Sequence, residues 1–248
     1  MKDDLGTEVR VPDTVERIVS IVPSLTESVA HTGKLVGATK WCTHPPGLDV
    51  VRVKGTKNPD IEAIKRLRPD VVLANFEENR DPDIRALREA GIAVWVTRIR
   101  TVEEAFSSLA RMFEHACRTG RPAWLEEAER VWAAVRPGPR RTAVVPIWRR
   151  PWMVVGSGTF TGDVLRRLGV DNLYEDHPER YPKVPLEELV ARRPDLVVLP
   201  DEPYAFSADD GPECFPGLRT ALVSGRHLTW YGPSLVEAPE VLGRMIGR

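Results

Sequence analysis

A thiol and an imidazole lie two residues apart in the segment Trp41-Cys42-Thr43-His44, beside a large aromatic ring. Thiolate and neutral imidazole are good ligands for soft metal ions, so Cys42 and His44 are candidate metal ligands, and both are candidate ligand-binding residues together with Trp41. The sequence has no second Cys or His pair at zinc-site spacing, which disfavours a closed structural zinc site. The alternative is a packing cysteine next to a histidine in a pocket wall.

The segment at residues 75–81 follows an apolar run and concentrates amide, carboxylate, guanidinium and aromatic groups. Such a mixture is typical of a ligand-contacting loop. The alternative is a solvated loop in which Asp81-Pro82 begins the next helix. Asn75 and Arg80 are the expected polar anchors. The candidate binding residues of this loop are Asn75, Phe76, Glu77, Glu78, Asn79 and Arg80.

Two segments in the second half are rich in large aromatic side chains. Residues 148–161 combine two tryptophans and two arginines with a Gly-Ser-Gly turn, a set that suits a flat ring system bearing carboxylates or amides. A short strand predicted at 227–230 leads into the second aromatic pair. Core packing is the alternative for both segments. The candidate binding residues are Trp148, Arg149, Trp152, Trp230 and Tyr231.

The loop after the first predicted strand contributes a hydroxyl pair and a carboxylate, Ser24, Thr26 and Glu27. Ser24 or Thr26 is expected to cap the following helix, whose first amides would then be available to an anionic ligand group. Capping alone is the alternative explanation for both hydroxyl residues.

These loops need a framework, and the strongest internal signal is a duplication. Residues 61–74 (IEAIKRLRPDVVLA) match residues 186–199 (LEELVARRPDLVVL) in their apolar positions, in Arg-Pro-Asp and in the β-branched run that follows. Each copy predicts an amphipathic helix that ends before the proline, followed by a buried strand. Continuous apolar strands of this kind are typical of parallel sheets.

The surrounding pattern alternates strand and helix. Two β-rich runs open the two halves, and the helix after each run ends at a glycine, the residue that most easily adopts a left-handed C-terminal conformation. The expected strands are 17–23, 35–39, 91–96 and 142–147, and the expected helices are 26–32 before Gly33, 82–90, and 161–168 before Gly169.

Residues 101–135 repeat apolar positions at helical spacing between the two halves, and Gly120 to Pro122 is expected to kink this segment or divide it in two. The predicted organisation is an N-terminal α/β lobe at 1–100, a linking helical spine at 101–136 and a C-terminal α/β lobe at 137–248. A fairly rigid cleft between the lobes is expected, because the link lacks the Gly and Ser of a flexible linker.

Composition excludes several classes of protein. Thirty-five Lys and Arg against 36 Asp and Glu give a net charge of −1, so nothing favours binding to nucleic acid or to an anionic membrane. Three widely spaced cysteines do not suggest a disulfide framework. The chain as written has no export signal and no membrane-spanning run, which predicts a cytoplasmic monomer, or an extracytoplasmic one if the chain is processed.

Enzymatic motifs are absent from the sequence. It contains no Gly-x-Ser-x-Gly elbow and no His-Glu-x-x-His, and His44 is too close to Cys42 for the usual thiol-hydrolase arrangement. Gly156-Ser157-Gly158 lacks the spacing of a phosphate loop. We therefore expect a binding protein rather than an enzyme, with no required cofactor.

Four segments together carry a resemblance to a known family: VPSLTE (22–27), VGATKWCTHPP (36–46), GTKNPDIEAIKRLRPDVVLA (55–74) and LVVLPDEP (196–203). Their order and spacing resemble those of the helix-linked (class III) periplasmic-type substrate-binding proteins for cobalamin, siderophores and metals. The resemblance covers about residues 15–246, and polar Lys57 and Asn58 stand where it implies a tryptophan. It implies two three-layer α/β lobes with parallel sheets, joined by a long rigid helix.

The resemblance implies that a small molecule, a corrinoid or another metal chelate, is held between the lobes and delivered to an ABC permease. Trp41 would line the pocket, and Asp81 and Glu237 would dock on the permease. The alternative function is an intracellular metal or metallocofactor handling protein that uses Cys42 and His44. A third possibility is an interaction module that has kept the fold and lost the pocket.

Overall fold

The computed structural model describes residues 1–247, which form two compact units. Short segments cross over between the units in sequence, so neither is a single continuous stretch. Unit 1 comprises 1–98, 103–126 and 231–233, and unit 2 comprises 99–102, 127–230 and 234–248.

Residues 1–98 of unit 1 contain seven of the strands and three of the α-helices that the structure describes. The strands are β1 Ile18–Ser20, β2 Leu35–Ala38, β3 Val51–Arg52, β4 Lys54–Gly55, β5 Asn58–Pro59, β6 Val71–Asn75 and β7 Val94–Thr97, and the helices are α1 Pro23–Val29, α2 Ile61–Leu67 and α3 Asp81–Glu89. Five of the strands form a parallel sheet in the order β3-β2-β1-β6-β7, and β4 and β5 form a separate antiparallel hairpin.

Both faces of this sheet are covered, which explains why its central strands are apolar throughout. On one face Ile64 of α2 and Leu87 of α3 pack against alternate residues of β1, β6 and β7. On the other face Trp95 of β7 packs against His115, with ring centroids 6.3 Å apart. The unit is therefore a three-layer α/β structure, as expected.

Two helices, α4 Val102–Arg111 and α5 Ala123–Ala134, make up the predicted spine. A π-helical turn at Met112–Ala116 extends α4, and residues 117–122 then interrupt the helix. Of the two outcomes expected for Gly120 to Pro122, the structure shows the division into two helices. The division between the compact units falls inside α5, between Glu126 and Glu127.

Unit 2 repeats the architecture of a parallel sheet with helices. The strands are β8 Arg141–Val144, β9 Pro146–Trp148, β10 Met153–Val154, β11 Val170–Asn172, β12 Leu196–Pro200 and β13 Thr220–Val223, and the helices are α6 Phe160–Arg167, α7 Leu186–Ala191, α8 Gly225–Thr229 and α9 Ala238–Met245. Four strands are parallel in the order β11-β8-β12-β13, and β9 and β10 form a small antiparallel pair. Leu189 and a group of aromatic rings pack on the sheet, α8 packs against α6 and α9, and α9 also contacts β13.

The duplicated segments form the same helix-strand unit twice, α2–β6 and α7–β12, as predicted. Their Arg-Pro-Asp motifs have the same local structure. Arg68 and Arg193 both adopt a left-handed backbone with φ of 46° just before the proline. Asp70 accepts the amides of Glu16 and Arg17 at 2.8 Å, and Asp195 accepts the amide of Thr142 at 2.7 Å. Each aspartate thus fastens its strand to the start of the opening strand beside it.

Two local predictions were wrong. Residues 227–230, expected to form a short strand, lie mostly in α8, because the amide of Leu228 bonds back to Ser224. Ser24 and Thr26 do not cap α1, because the helix begins earlier, at Pro23, with Val22 in the cap position and no side-chain cap. The left-handed glycines are confirmed, with φ of 71° at Gly33 and 87° at Gly169.

Among residues 1–247, no helix is both long enough and apolar enough to cross a membrane. The cysteines in this range form no disulfide: Cys42 and Cys117 are buried, and Cys214 is partly exposed.

Candidate functional site

Two large aromatic side chains are exposed where strands of the unit 1 sheet end. Trp41 follows β2 and is 58% exposed, and Phe76 follows β6 and is 43% exposed. Loops at the carboxyl ends of parallel strands are the usual ligand positions in open α/β sheets. We call the surface formed by Trp41, Phe76 and the loops that carry them the unit 1 surface.

The loop that carries Phe76 is held from below by two buried asparagines. The amide group of Asn75 donates to Thr97 O and Thr97 Oγ1, both at 3.1 Å, while its Oδ1 accepts the amide of Glu77 at 2.8 Å. Asn79 accepts the amide of Asn75 at 2.8 Å and donates to Ile21 O at 3.2 Å. These asparagines position the loop, and their polar atoms are turned to the protein.

The other expected anchor of this loop, Arg80, forms a two-point ion pair with Asp83 at 2.8 and 3.1 Å on the exposed start of α3. This pair raises the pKa of Arg80 and holds its guanidinium at the helix. Asp81, the predicted docking residue, is the exposed first residue of α3.

Cys42 is fully buried under the unit 1 surface. Its Sγ accepts a hydrogen bond from Thr26 Oγ1 at 3.0 Å and lies 3.1 Å from Thr39 Oγ1. Burial raises the pKa of the Cys42 thiol, and the charge of Glu78 adds to the effect, so the thiolate that a metal needs is disfavoured. His44 is half-buried and its Nδ1 lies 3.2 Å from Thr43 Oγ1.

No cluster of three or more His, Cys, Asp or Glu side chains able to hold a metal ion occurs in residues 1–247. Together with the protonated, hydroxyl-bonded Cys42, this does not favour the alternative in which Cys42 and His44 handle a metal.

A short segment from late in the chain, Tyr231–Pro233, belongs to unit 1 and lies against α1. Tyr231 is buried and its hydroxyl donates to Glu78 Oε1 at 3.4 Å. A Cβ atom at Gly232 would lie 3.1 Å from Ser24 O and 3.7 Å from Glu27 Oε2, so the segment approaches α1 closely at this glycine. Tyr231 was expected on the second lobe, but it belongs to unit 1.

Ser24 itself is 2% exposed, and its Oγ has no hydrogen-bond partner within residues 1–247. Glu27 is 8% exposed on the same helix. The structure therefore brings Ser24, Thr26, Glu27, Cys42 and Glu78 together beneath one edge of the unit 1 surface.

The aromatic residues at the carboxyl ends of the unit 2 strands mostly contact one another. Trp152 stacks on Phe206 with an interplanar angle of 8° and meets Phe215 edge-on at 5.4 Å. Trp148 is 43% exposed and packs edge-on against Tyr204 at 5.7 Å. Trp148 alone of the candidate unit 2 residues presents a largely open ring.

The positive charge of Arg149 is paired with two carboxylates of unit 2. Its side chain is 14% exposed and pairs with Asp210 and, at 2.7 Å, with Glu213. Desolvation opposes the charge of Glu213, but hydrogen bonds from the Gly211 amide, Cys214 and Arg149 prevail and lower the pKa of Glu213 to about 2. The guanidinium also lies 5.6 Å from the Trp152 ring. Arg149 therefore ties the aromatic group together.

Trp230 is 7% exposed and hydrogen-bonds to Glu202, a partly buried carboxylate next to the end of β12. Desolvation of Glu202, reinforced by the charge of Asp201, raises its pKa to about 7. Asp201 accepts the amide of Gly225 at 2.6 Å, so both carboxylates are held against the start of α8.

Comparison of the sequence with known protein families shows which family the chain belongs to. A family model described as periplasmic binding protein matches residues 16–213. The chain belongs to this family. A vitamin B12-binding protein of Vibrio cholerae is 23% identical over 198 residues, which cover 75% of this chain and 71% of the relative.

Solved structures confirm the fold of this periplasmic binding protein. The periplasmic vitamin B12-binding protein of Vibrio cholerae superposes with a TM-score of 0.74 at 20% identity, covering 94% of this chain and 97% of the other. A periplasmic heme-binding protein from Pseudomonas aeruginosa gives 0.75 at 24% identity, covering 94% and 93%. The class III resemblance and its α/β fold with parallel sheets are thereby confirmed.

The second docking candidate of this periplasmic binding protein, Glu237, is exposed and already paired. It accepts from His227 Nε2 at 3.0 Å and Arg226 Nη1 at 3.3 Å, and these bonds lower the pKa of Glu237 despite some desolvation.

Sequence reasoning did not assign a site role to Lys40, Lys57, Gly232 or Glu202. Lys40 lies over the Trp41 ring and Lys57 follows Gly55 in the hairpin, so the local signal for each lysine was its position in sequence next to these residues. Gly232 and Glu202 had no local signal, because their partners are distant in the chain.

Proposed function

We propose that this chain binds a tetrapyrrole-type metal complex, a corrinoid or a porphyrin, and acts outside the cytoplasm as the ligand-binding component of an importer. The observation that carries the proposal is the pair of exposed rings, Trp41 and Phe76, at the carboxyl ends of the unit 1 strands. Exposed aromatic rings on a rigid support are suited to a large flat ligand, because stacking and apolar burial act together.

The relatives support this ligand class. The Vibrio cholerae protein is a vitamin B12-binding protein, and the Pseudomonas aeruginosa structure is a heme-binding protein. The chain's own residues supply the rest of the argument: Asn75 and Asn79 fix the Phe76 loop, and Tyr231 fixes Glu78. A surface that is ordered before binding loses less conformational entropy when the ligand arrives.

No catalytic step is proposed. The work assigned to these residues is recognition: the rings of Trp41 and Phe76 bury the ligand face, and the loop that carries Phe76 is positioned for this contact by Asn75 and Asn79. Delivery to a permease of the ABC type, with exposed Asp81 as a docking residue, belongs to the same proposal.

The test is a titration of the purified chain with cyanocobalamin, iron protoporphyrin and a ferric tris-catecholate, followed by tryptophan fluorescence and by calorimetry. We expect saturable one-to-one binding of the corrinoid or the porphyrin. The chain unfolded in denaturant is the control for optical absorption by the coloured ligands. Failure of both tetrapyrroles to bind would contradict the proposal, and binding of the catecholate alone would replace it with siderophore transport.

A further inference from the structure

The antiparallel hairpin β4–β5 of unit 1 is fastened to the loop that carries Phe76. Asn79 Nδ2 donates to Thr56 O at 3.0 Å, and Lys57 Nζ donates to Glu77 O at 2.5 Å. Both bonds join the tip of the hairpin to the segment just after Phe76. The ammonium of Lys57 is therefore directed to the Phe76 loop by one hydrogen bond, although the residue is exposed.

Trp41 lies against the same hairpin. A Cβ atom at Gly55 would fall 2.5 Å from Asn58 Oδ1 and 3.3 Å from Trp41 Nε1, so the missing side chain is what lets the indole approach. Lys40 Nζ lies 4.8 Å from the centroid of the Trp41 ring. The exposed indole thus has one lysine over its ring and a second lysine two residues along the hairpin that supports it.

Acidic and basic side chains occupy different parts of the unit 1 surface. Glu27 and Glu78 lie by Tyr231 and Gly232, whereas Lys57 lies at the hairpin. An ammonium has three N–H donors, and within residues 1–247 only the bond to Glu77 O engages that of Lys57. Two donors on a positioned cation therefore remain to meet a ligand acceptor.

We infer that Lys57 is a specificity-determining residue that binds an anionic substituent at the edge of the ligand while the ligand ring contacts Trp41. This inference rests on the proposed function and adds the charge of the ligand's periphery to it. A carboxylate bound by a fixed ammonium forms a charge-assisted hydrogen bond, about twice as strong as a neutral one. A ligand with a carboxylated edge is then preferred over the same ring without charge.

The experiment compares iron protoporphyrin, which has two carboxylates, with its dimethyl ester, which keeps the ring and loses the charge. Binding of both probes is measured for the unchanged chain and for Lys57→Met, Lys57→Arg and the matched control Lys65→Met, an exposed lysine that pairs with Glu62 on α2. We expect Lys57→Met to weaken binding of the dicarboxylate about tenfold and to leave the diester unchanged. Lys57→Arg should restore most of the loss, and Lys65→Met should change neither probe.

The outcomes separate the two proposals. Equal weakening of both probes by Lys57→Met would reduce Lys57 to a loop support and overturn the inference, as would no change with either probe. In both cases the unchanged chain still binds the porphyrins, so the proposed function stands. If the unchanged chain binds neither porphyrin, the inference falls, and the proposed function then depends on the corrinoid titration alone.

Discussion

Units 1 and 2 share a framework and differ in the loops that follow their strands. The strand order β2-β1-β6-β7 in unit 1 has its counterpart in β11-β8-β12-β13, and in each unit a left-handed glycine and an Arg-Pro-Asp motif occupy matching places. In unit 1 the loops leave both Trp41 and Phe76 exposed. In unit 2 Trp148 is as exposed as Phe76 but packs against Tyr204, and Trp152 and Trp230 are packed or hydrogen-bonded. A repeated framework therefore does not imply a repeated site.

The physical reason is that the strands of the framework and the loops at their ends are subject to different constraints. A parallel strand must be apolar on both faces, and its neighbour must be fastened at the start, which Asp70 and Asp195 do in the same way. Loops at the strand ends carry no such requirement and can diverge. In unit 2 they have diverged towards self-packing around Arg149.

The largest expected effect is a loss of ligand affinity, which should be greater for a substitution in unit 1 than for the matched substitution in unit 2. Trp41→Ala should weaken binding of whichever proposed tetrapyrrole, corrinoid or porphyrin, saturates the unchanged chain by about ten- to a hundredfold, because a central aromatic contact is lost. Trp148→Ala is the matched variant in unit 2 and should cost less, since Tyr204 already covers part of that ring. Calorimetric Kd values decide the comparison, which is reversed if Trp148→Ala has the larger effect.

A second prediction concerns the packed loops of unit 2. Arg149→Ala removes the cation beside Asp210 and Glu213, and because both carboxylates are partly exposed it should lower the free energy of unfolding by no more than about 1 kcal/mol. Ligand affinity should stay unchanged. Denaturant unfolding measures the first quantity and titration the second, with exposed Arg136→Ala as control. A stable variant with impaired binding would assign Arg149 to the site instead.

The third prediction is that the folding stability depends on pH because of Glu202 in unit 2. Because the folded pKa of Glu202 is raised to about 7, mainly by desolvation, the folded state retains the proton that the unfolded state releases near 4.5. The contribution of Glu202 to stability is complete below pH 4.5 and is lost as pH rises to about 7.

Glu202→Gln should remove this loss and make the protein more stable above pH 7 by about 1–3 kcal/mol relative to the unchanged chain. Exposed Glu187→Gln is the control. Unfolding curves at pH 4.5, 6 and 8 test the expectation, and parallel stability profiles for the Glu202 variant and the unchanged protein would refute it.

The smallest expected effect tests the shared framework. Asp70→Ala and Asp195→Ala each remove an acceptor of two hydrogen bonds at the start of the opening strand, so each should lower Tm by about 2–5 °C. Thermal unfolding monitored by circular dichroism measures both. A drop in only one variant would show that the two Arg-Pro-Asp motifs differ in role despite matching geometry.

Much of the fold was predictable because its signals are local. The helix and strand of each Arg-Pro-Asp copy follow from a 3.6-residue pattern and an apolar run, and both copies were placed correctly. Residues 227–230 were misassigned as a strand because four residues are too few to show a period, and hydrogen bonds to the preceding residues decided for a helix. Asn75 looked like a ligand anchor because Thr97, its partner, is 22 residues away.

The sequence by itself determined the two α/β halves, the helical segment between them and the family resemblance, because periodicity and motif order are written along the chain. Only the tertiary structure decided that the rings of Trp41 and Phe76 are exposed and that Trp152, Trp230 and Arg149 are packed or bonded within unit 2. It also decided that Lys57 of the β4–β5 hairpin donates a hydrogen bond to the loop that carries Phe76. Exposure and hydrogen-bond partners depend on residues far apart in sequence, and no local pattern records which of them meet.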